Sequence, residues 1–170
     1  MQLIKLNKGI SILYHNDNLI IKNCYTHVLL DTCNIIKNFI IFDQAFLKLF
    51  TICRKNNLIF YHHLSSITRG VCAFFYKKLN LNGIGFRCWV TKKRNLILKF
   101  GFSKYIVFKI PKEVLIFCLC PTLIIVKGPN KEITNFIAAR IRFLKRVDIY
   151  KEKGILYENE FVRLKAGKQN

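Results

Sequence analysis

A pattern that occurs twice along the chain sets the strongest limit on what it can fold into. The pentapeptides Asn18–Lys22 and Asn95–Lys99 read NLIIK and NLILK and begin 77 residues apart. Each follows a short apolar segment and a polar turn, over residues 10–17 and 85–94. Apolar, β-rich runs separated by polar turn residues are typical of β-hairpins. The repeat therefore predicts two similar units, each containing an antiparallel hairpin.

Each hairpin is followed further along the chain by a strand that leads into an amphipathic helix. In the second unit the strand covers residues 122–127, and Asn130 is placed to cap a helix over residues 131–146. The apolar face of this helix consists of Ile133, Phe136, Ile137, Ile141 and Leu144. In the first unit a strand over residues 58–61 leads into a helix that ends at Lys77 and Lys78, and its apolar face consists of Leu64, Ile67, Val71, Phe74 and Phe75. The sequence thus predicts an α+β fold with two similar small domains, each an antiparallel sheet packed with one helix.

Positive charge is concentrated in the second half of the chain. The whole sequence carries 29 Lys and Arg against 9 Asp and Glu, a net charge of +20, while 52% of its residues are apolar. Residues 1–85 carry 10 positive and 3 negative charges, and residues 86–170 carry 19 and 6. A folded core with a cationic surface indicates a protein that binds nucleic acid or an anionic membrane. We expect a first domain over 1–80, a second domain over 81–149 that holds the main anionic contact, and a basic C-terminal extension over 150–170.

Patterns that would indicate a cofactor, a metal or catalysis are incomplete. Residues 83–88 begin like a dinucleotide-binding loop but lack the third glycine, and we interpret them as a crossing between the two domains. The seven cysteines include no CxxC pair and are interpreted as reduced, buried thiols: Cys24, Cys33, Cys53, Cys72, Cys88, Cys118 and Cys120. His62 and His63 have no acid or nucleophile near them in sequence. We therefore expect no enzyme activity, no cofactor, no metal and no small-molecule substrate.

The amino-acid usage and the hydropathy of the chain bear on its location. Residues with A/T-rich codons (Phe, Tyr, Met, Ile, Asn and Lys) make up 83 of the 170 positions, which is typical of a mitochondrial or endosymbiont genome. No segment approaches the 18 or so apolar residues of a membrane span, and the first nine residues lack the apolar stretch of a secretory signal. The composition leaves a mitochondrion and an A/T-rich endosymbiont open, of which we expect the mitochondrial matrix, and we expect no membrane insertion.

The segment with the most information is the C-terminal one, which reads DIYKEKGILYENEFVRLKAGKQN from Asp148. It resembles the C-terminal signature of the large-subunit ribosomal protein number six family, which runs acidic-Pro-Tyr-Lys-Gly-Lys-Gly-Ile and later Val-Val-Arg and Lys-x-Gly-Lys. Ile149 and Glu152 stand where the family has Pro and Gly. The matching residues are Asp148, Tyr150, Lys151, Lys153, Gly154, Ile155, Tyr157, Glu160, Val162, Arg163, Lys165, Gly167 and Lys168.

Three further blocks are similar to the same family. Residues 70–87 resemble its segment Gly-Val-x-x-x-aromatic-x-Lys-x-Leu-x-Leu-x-Gly-Val-Gly-Tyr-Arg, and residues 101–103 resemble its Gly-Tyr-Ser. Residues 125–142 resemble its last strand and helix. The resemblance covers residues 70–168, whereas residues 1–69 share only the hairpin pattern.

The resemblance implies a two-domain, non-enzymatic constituent of the large ribosomal subunit. Its second domain and tail would bind large-subunit rRNA near the translation-factor site and the sarcin–ricin loop, beside neighbouring ribosomal proteins. The rRNA-binding residues it implies are Tyr150, Lys151, Lys153, Gly154, Arg163, Lys165 and Lys168, followed by Ser103, Lys104, Lys127 and Lys131. Ammonium groups neutralise phosphates, and an aromatic ring stacks on an unpaired base.

Two alternatives stay open from the residues themselves. A peripheral protein of an anionic membrane would also carry a basic surface and apolar patches. The basic turn at residues 92–94 fits either a solvated turn or an RNA contact.

Overall fold

The chain divides into two units of secondary structure that we describe separately. A computed structural model describes residues 2–5, 10–15, 18–22, 27–31, 39–42, 46–50 and 54–167. The first unit comprises Met1–Phe74 with Pro129–Lys131, and the second comprises Phe75–Gly128 with Glu132–Asn170. The second unit begins at Phe75, because the strand that starts there belongs to its main sheet. The assignment of separate roles to 1–80, 81–149 and 150–170 stays a prediction.

The first unit places one helix against two small antiparallel sheets. Its strands are β1 (Gln2–Lys5), β2 (Ser11–His15), β3 (Asn18–Lys22), β4 (His27–Asp31), β5 (Phe39–Phe42) and β6 (Phe46–Phe50), and its helix is α1 (Arg54–Cys72). The strand orders are β1-β6-β5 and β2-β3-β4. Helix α1 contacts both sheets, and its side chains Leu64, Ile67 and Val71 are buried, as the sequence pattern predicts.

Both predicted ends of α1 are wrong. Residues 58–61, expected as a strand, lie inside the helix, because no Gly or Pro separates them from the helical stripe that follows. The helix ends at Cys72, and the predicted helical segment around Phe75 and Lys77 is the start of a strand. That strand pairs on both sides, and this long-range pairing outweighs the local helical pattern.

The second unit packs one helix over two antiparallel sheets. Its elements are β7 (Phe75–Asn82), β8 (Arg87–Val90), β9 (Asn95–Lys99), β10 (Ile106–Lys109), β11 (Leu115–Cys120), β12 (Leu123–Gly128), α2 (Lys131–Phe143) and β13 (Gly154–Tyr157). The four-stranded sheet has the order β11-β12-β7-β13, and the three-stranded sheet has the order β10-β9-β8. Both sheets and α2 contribute to one core, which includes Leu79, Leu96, Leu98, Ile124, Val126, Ile137 and Ile141.

The repeated pentapeptides occupy equivalent places, which confirms the α+β fold of two similar units. NLIIK is β3 and NLILK is β9, and each is the central strand of a three-stranded antiparallel sheet. β3 pairs with β2 and β9 pairs with β8, as the two hairpin signals predict.

Two details of the second unit differ from the sequence prediction. Phe136, expected in the core, is 60% exposed, and Thr134 and Ala138 are buried instead. Gly128 makes room for this rotation of the helix, since a Cβ at that position would lie 2.6 Å from Thr134 Oγ1. Residues 83–86, expected to cross between domains, form the turn from β7 to β8 within the second unit, and a Cβ on Gly83 would lie 2.8 Å from the Phe86 ring.

Over the residues described, no helix is both long enough and apolar enough to cross a membrane.

Candidate nucleic-acid interface

A tight loop over residues 147–153, here called the basic loop, presents Tyr150, Lys151 and Lys153 to solvent. The Asp148 N–H donates to the carbonyl oxygen of Lys153 at 2.9 Å, and the Glu152 N–H donates to the carbonyl oxygen of Asp148 at 2.9 Å. The Asp148 carboxylate also accepts the Tyr150 N–H at 3.0 Å. These hydrogen bonds hold the backbone of the loop in one conformation. The exposed side chains of Tyr150, Lys151 and Lys153 therefore extend from a fixed backbone.

Gly154 closes the basic loop and starts β13. It is buried, and a Cβ there would lie 2.6 Å from Val147 Cα and 2.8 Å from the Arg146 carbonyl oxygen. The next N–H, that of Ile155, donates to the Lys145 carbonyl oxygen at 3.2 Å. This backbone packing accounts for a glycine at residue 154 without any ligand.

The tail that follows β13 returns to the basic loop. The Lys165 N–H donates to the carbonyl oxygen of Ile149 at 3.1 Å, which brings the exposed side chains of Arg163 and Lys165 beside the loop. Phe161, an apolar residue of this tail, is 97% exposed. Lys168 lies outside the described residues.

An ion pair between Arg142 of α2 and Glu160 holds the start of this tail. Arg142 Nε donates to Glu160 Oε2 at 2.9 Å, Arg142 Nη2 donates to Glu160 Oε1, and the Tyr157 N–H donates to Glu160 Oε2 at 3.1 Å. The hydrogen bonds from Arg142 hold the pKa of the Glu160 carboxyl below its usual value, although partial burial acts in the opposite direction. The pair therefore holds the start of the tail against α2.

The loop over residues 100–105 lies near the C-terminal end of α2, which is also the end that the basic loop follows. Lys145 Nζ lies 4.6 Å from the centre of the Phe102 ring, a cation–π distance. Ser103 and Lys104 are exposed in this loop. The structure therefore brings four of the predicted cations, Lys151, Lys153, Arg163 and Lys165, to one end of the second unit, with Lys104 on a neighbouring loop.

The remaining two predicted residues lie elsewhere. Lys127 is half-buried on β12, where it pairs in register with Tyr76 of β7. Lys131 is exposed at the first residue of α2, and thirteen residues of helix separate it from the basic loop, a distance of about 20 Å. Lys145 and Arg146 lie at the same end of the second unit but are not among the predicted residues, although the cluster of Arg142, Lys145 and Arg146 at the end of the predicted helix is a usable signal.

Three cysteines of the second unit lie close together, and of these Cys88 is buried, Cys118 is half-buried and Cys120 is exposed. The Cys88 Sγ lies 3.7 Å from the Cys120 carbonyl oxygen, and its hydrogen bond with the Cys118 thiol, together with burial, raises the pKa of Cys88. Cys72, Cys88, Cys118 and Cys120 are all free thiols, of which Cys88 is buried while Cys72 and Cys120 are exposed. Among the described residues, no three His, Cys, Asp or Glu side chains are grouped to hold a metal ion.

Comparison with known proteins gives relatives over about six tenths of the chain. The large ribosomal subunit protein uL6 of Chlorobium phaeobacteroides is 44% identical over 105 residues, which cover 62% of this chain and 58% of that protein. The protein of the same name from Chlamydia felis is 43% identical over 110 residues, covering 65% and 60% of the two chains. Large ribosomal subunit protein uL6m of Reclinomonas americana is 38% identical over 100 residues, covering 59% and 54%.

These relatives agree in name although the match is partial. The chain spans less than two thirds of the length of the relatives that it matches. No family model matches the chain. Identities of 38 to 44% over at least 100 residues nevertheless all fall on proteins of one name, and over that part this chain is similar to large ribosomal subunit protein uL6.

Proposed function

We propose that this protein is a structural, non-enzymatic constituent of the large ribosomal subunit that binds and stabilises large-subunit rRNA. The observation that carries the proposal is the joining of the basic loop and the tail by the hydrogen bond from the Lys165 N–H to the Ile149 carbonyl oxygen. It brings the exposed cations of two sequence segments onto one surface of a protein whose net charge is +20. The names of the uL6 relatives support the same assignment.

The chemistry of this surface suits RNA backbone rather than a base sequence. Lysine ammonium groups act as point charges for phosphates, and phosphate neutralisation releases counterions, which supplies much of the affinity. The Tyr150 ring, 55% exposed, is available to stack on an unpaired base or pack on a sugar. We place the contact near the translation-factor site and the sarcin–ricin loop, as the resemblance of the C-terminal signature implies, with other large-subunit proteins as neighbours.

Charge reversal in the basic loop tests the proposal. The full chain with both Lys151→Glu and Lys153→Glu should bind large-subunit rRNA more weakly, and the slope of log affinity against log salt should fall by roughly 2 because two phosphate contacts are lost. The measurement is filter binding at several salt concentrations, followed by co-sedimentation with large subunits.

Two control variants distinguish the loss of contacts in the basic loop from a general effect of substitution or of lower net charge. Lys22→Glu with Lys99→Glu removes the same charge at exposed positions outside the loop and should have a smaller effect on both affinity and slope. Replacing His62 and His63 by alanine should leave incorporation unchanged. Equal losses from the loop variant and either control would contradict the site assignment.

The alternative function, binding to an anionic membrane, is tested with the same protein. Vesicles that contain anionic lipid are added as a competitor to the rRNA complex. Preference for the vesicles at physiological salt would favour the membrane protein and overturn the ribosomal assignment.

We also propose that the protein acts in a mitochondrial ribosome. The A/T-biased composition and a relative named uL6m support this location. Detection of the protein in ribosomes of purified mitochondria would agree with the proposal, whereas detection only in the ribosomes of an A/T-rich bacterium would contradict it.

A further inference from the structure

The outer face of α2 carries aromatic rings that alternate with guanidinium groups. Phe136 and Phe143 are 60% and 61% exposed, although the opposite face of the helix is buried in the core. The Arg140 Cζ lies 5.8 Å from the Phe136 ring centre, and the Arg146 Cζ lies 5.0 Å from the Phe143 ring centre. These rings contribute nothing to the core, so their exposure needs another explanation.

A groove lies beside this face of the helix. It has a volume of about 510 Å³ and is lined by residues 107–112, from β10 and the turn after it, together with Arg140. The Arg140 guanidinium also lies 5.7 Å from the centre of the Phe108 ring, which forms one wall. Lys109 and Lys112 are exposed, and none of the described residues that line the groove is acidic. The volume falls in the range of sites that hold small organic groups, and the charge selects an anion.

The groove is distinct from the basic loop. The neighbouring Arg142 is paired with Glu160, whereas the Arg140 guanidinium lies against the Phe108 and Phe136 rings. A guanidinium held in this way keeps its donors available for phosphate oxygens.

We propose that the groove and the outer face of α2 form a second RNA site that holds an unpaired strand. Phosphates lie against Arg140, Lys109 and Lys112, and bases stack on the Phe136 and Phe143 rings. The two rings are two helical turns apart, about 10 Å, so a strand of a few nucleotides reaches both. This inference rests on the proposed function, because it takes the ligand to be RNA.

The exposed rings favour an unpaired strand over a duplex. Bases inside an A-form helix are stacked on one another and cannot reach a protein ring, whereas bases of a single strand stack on aromatic side chains whatever their sequence. The cationic lining disfavours a basic or neutral protein segment. Two phenylalanines are also a narrow apolar face for a membrane surface.

The test measures binding of the full chain to a ten-nucleotide RNA of mixed sequence without self-complementarity, by fluorescence anisotropy, beside the same sequence as a duplex. Phe136→Ala should weaken single-strand binding about tenfold, because stacking on one ring contributes on the order of 1.4 kcal/mol. Lys109→Gln with Lys112→Gln should weaken it and lower its salt slope. Neither change should alter duplex binding by more than about twofold.

Tyr76→Ala is the matched control for Phe136→Ala. Tyr76 is 61% exposed on β7 and outside the groove, so its loss should leave single-strand binding unchanged. The lysine variant removes exposed side chains outside the core and keeps the test valid if Phe136→Ala unfolds, which the fluorescence of Trp89 would reveal.

The outcomes separate the two proposals. If large-subunit rRNA binds but none of the groove variants changes single-strand affinity, the second site is wrong and the proposed function stands. If the wild-type chain binds neither large-subunit rRNA nor the oligonucleotide, both are wrong. Binding of anionic vesicles in preference to RNA, lost with Phe136→Ala, would replace the RNA site with a membrane site.

Discussion

Replacement of Gly154 by alanine should release the basic loop from its support, and the structure allows the cost to be worked out. The new Cβ would lie 2.6 Å from Val147 Cα, 2.8 Å from the Arg146 carbonyl oxygen and 2.9 Å from Val147 N. All three are backbone atoms, so no side chain can rotate away. The φ angle of Gly154 is +156°, which is also costly for a residue with a Cβ.

Substitutions at two other glycines separate the cost of backbone conformation from the cost of steric overlap. Gly85 has a φ of +76°, and an added Cβ there would meet no atom within 4 Å, so Gly85→Ala measures the cost of backbone conformation alone, about 1 to 2 kcal/mol. Gly167 has no positive φ, and an added Cβ there would have no atom within 4 Å, so Gly167→Ala should leave the free energy of unfolding nearly unchanged. Overpacking a rigid site costs about 1 to 3 kcal/mol, so Gly154→Ala should destabilise the second unit by about 3 kcal/mol.

The single tryptophan of the chain provides the assay. Trp89 lies on β8 in the second unit, so its fluorescence during urea unfolding reports that unit. The expected order of destabilisation is Gly154→Ala, then Gly85→Ala, then Gly167→Ala. A Gly154→Ala variant as stable as Gly167→Ala would refute the packing argument, since it would show that β13 and residues 146–147 are not in this contact.

Two further predictions concern the ionisable side chains of the second unit. Glu160→Gln should cost about 1.5 kcal/mol at pH 7, because it removes charged hydrogen bonds with Arg142. Since the folded pKa of Glu160 is depressed, its stabilisation is present above the ordinary glutamate pKa of about 4.3 and is lost as the pH falls through the lower folded value. The wild-type and variant stabilities should therefore converge once the pH lies below the folded pKa of Glu160, and Glu158→Gln, at an exposed pair, should show a smaller loss at pH 7. Iodoacetamide at pH 8 should label exposed Cys120 well before buried Cys88, whose pKa is raised, and equal rates by mass spectrometry would contradict the buried position of Cys88.

The parts of the fold that local sequence determines can be predicted well. The hairpins β2–β3 and β8–β9 follow from apolar runs around polar turns, and the start of α2 at Lys131 follows from the Pro129-Asn130 signal. Each of these features depends on residues that are close together in sequence.

Features that depend on distant residues cannot be predicted in the same way. The local pattern of Phe75–Asn82 is in part helical, because its strand state depends on β12 and β13, which lie far along the chain. Phe136 and Thr134 both fit a helical stripe, and Thr134 is buried where the absence of a Cβ at Gly128 leaves space for it. Periodicity alone does not make that choice.

The candidate site also combines features that local sequence determines with features that depend on distant residues. The cations of the basic loop stand out in the sequence, but the Arg142–Glu160 pair joins residues 18 apart in different elements. The groove beside Arg140 is likewise formed by α2 and the end of β10, and no pattern in either segment alone indicates it.

The position of β13 has a consequence for the order in which the protein is completed. This strand is the last described one along the chain, yet it pairs with β7, the first strand of its unit. During synthesis, one edge of β7 lacks this partner until the ribosome has made residues 154–157. Since Gly154 begins the strand and ends the basic loop, the loop gains its support only when that edge is closed. A partly made chain would therefore lack the completed cationic surface. The pairing of the last strand and the completion of that surface occur at the same step of synthesis.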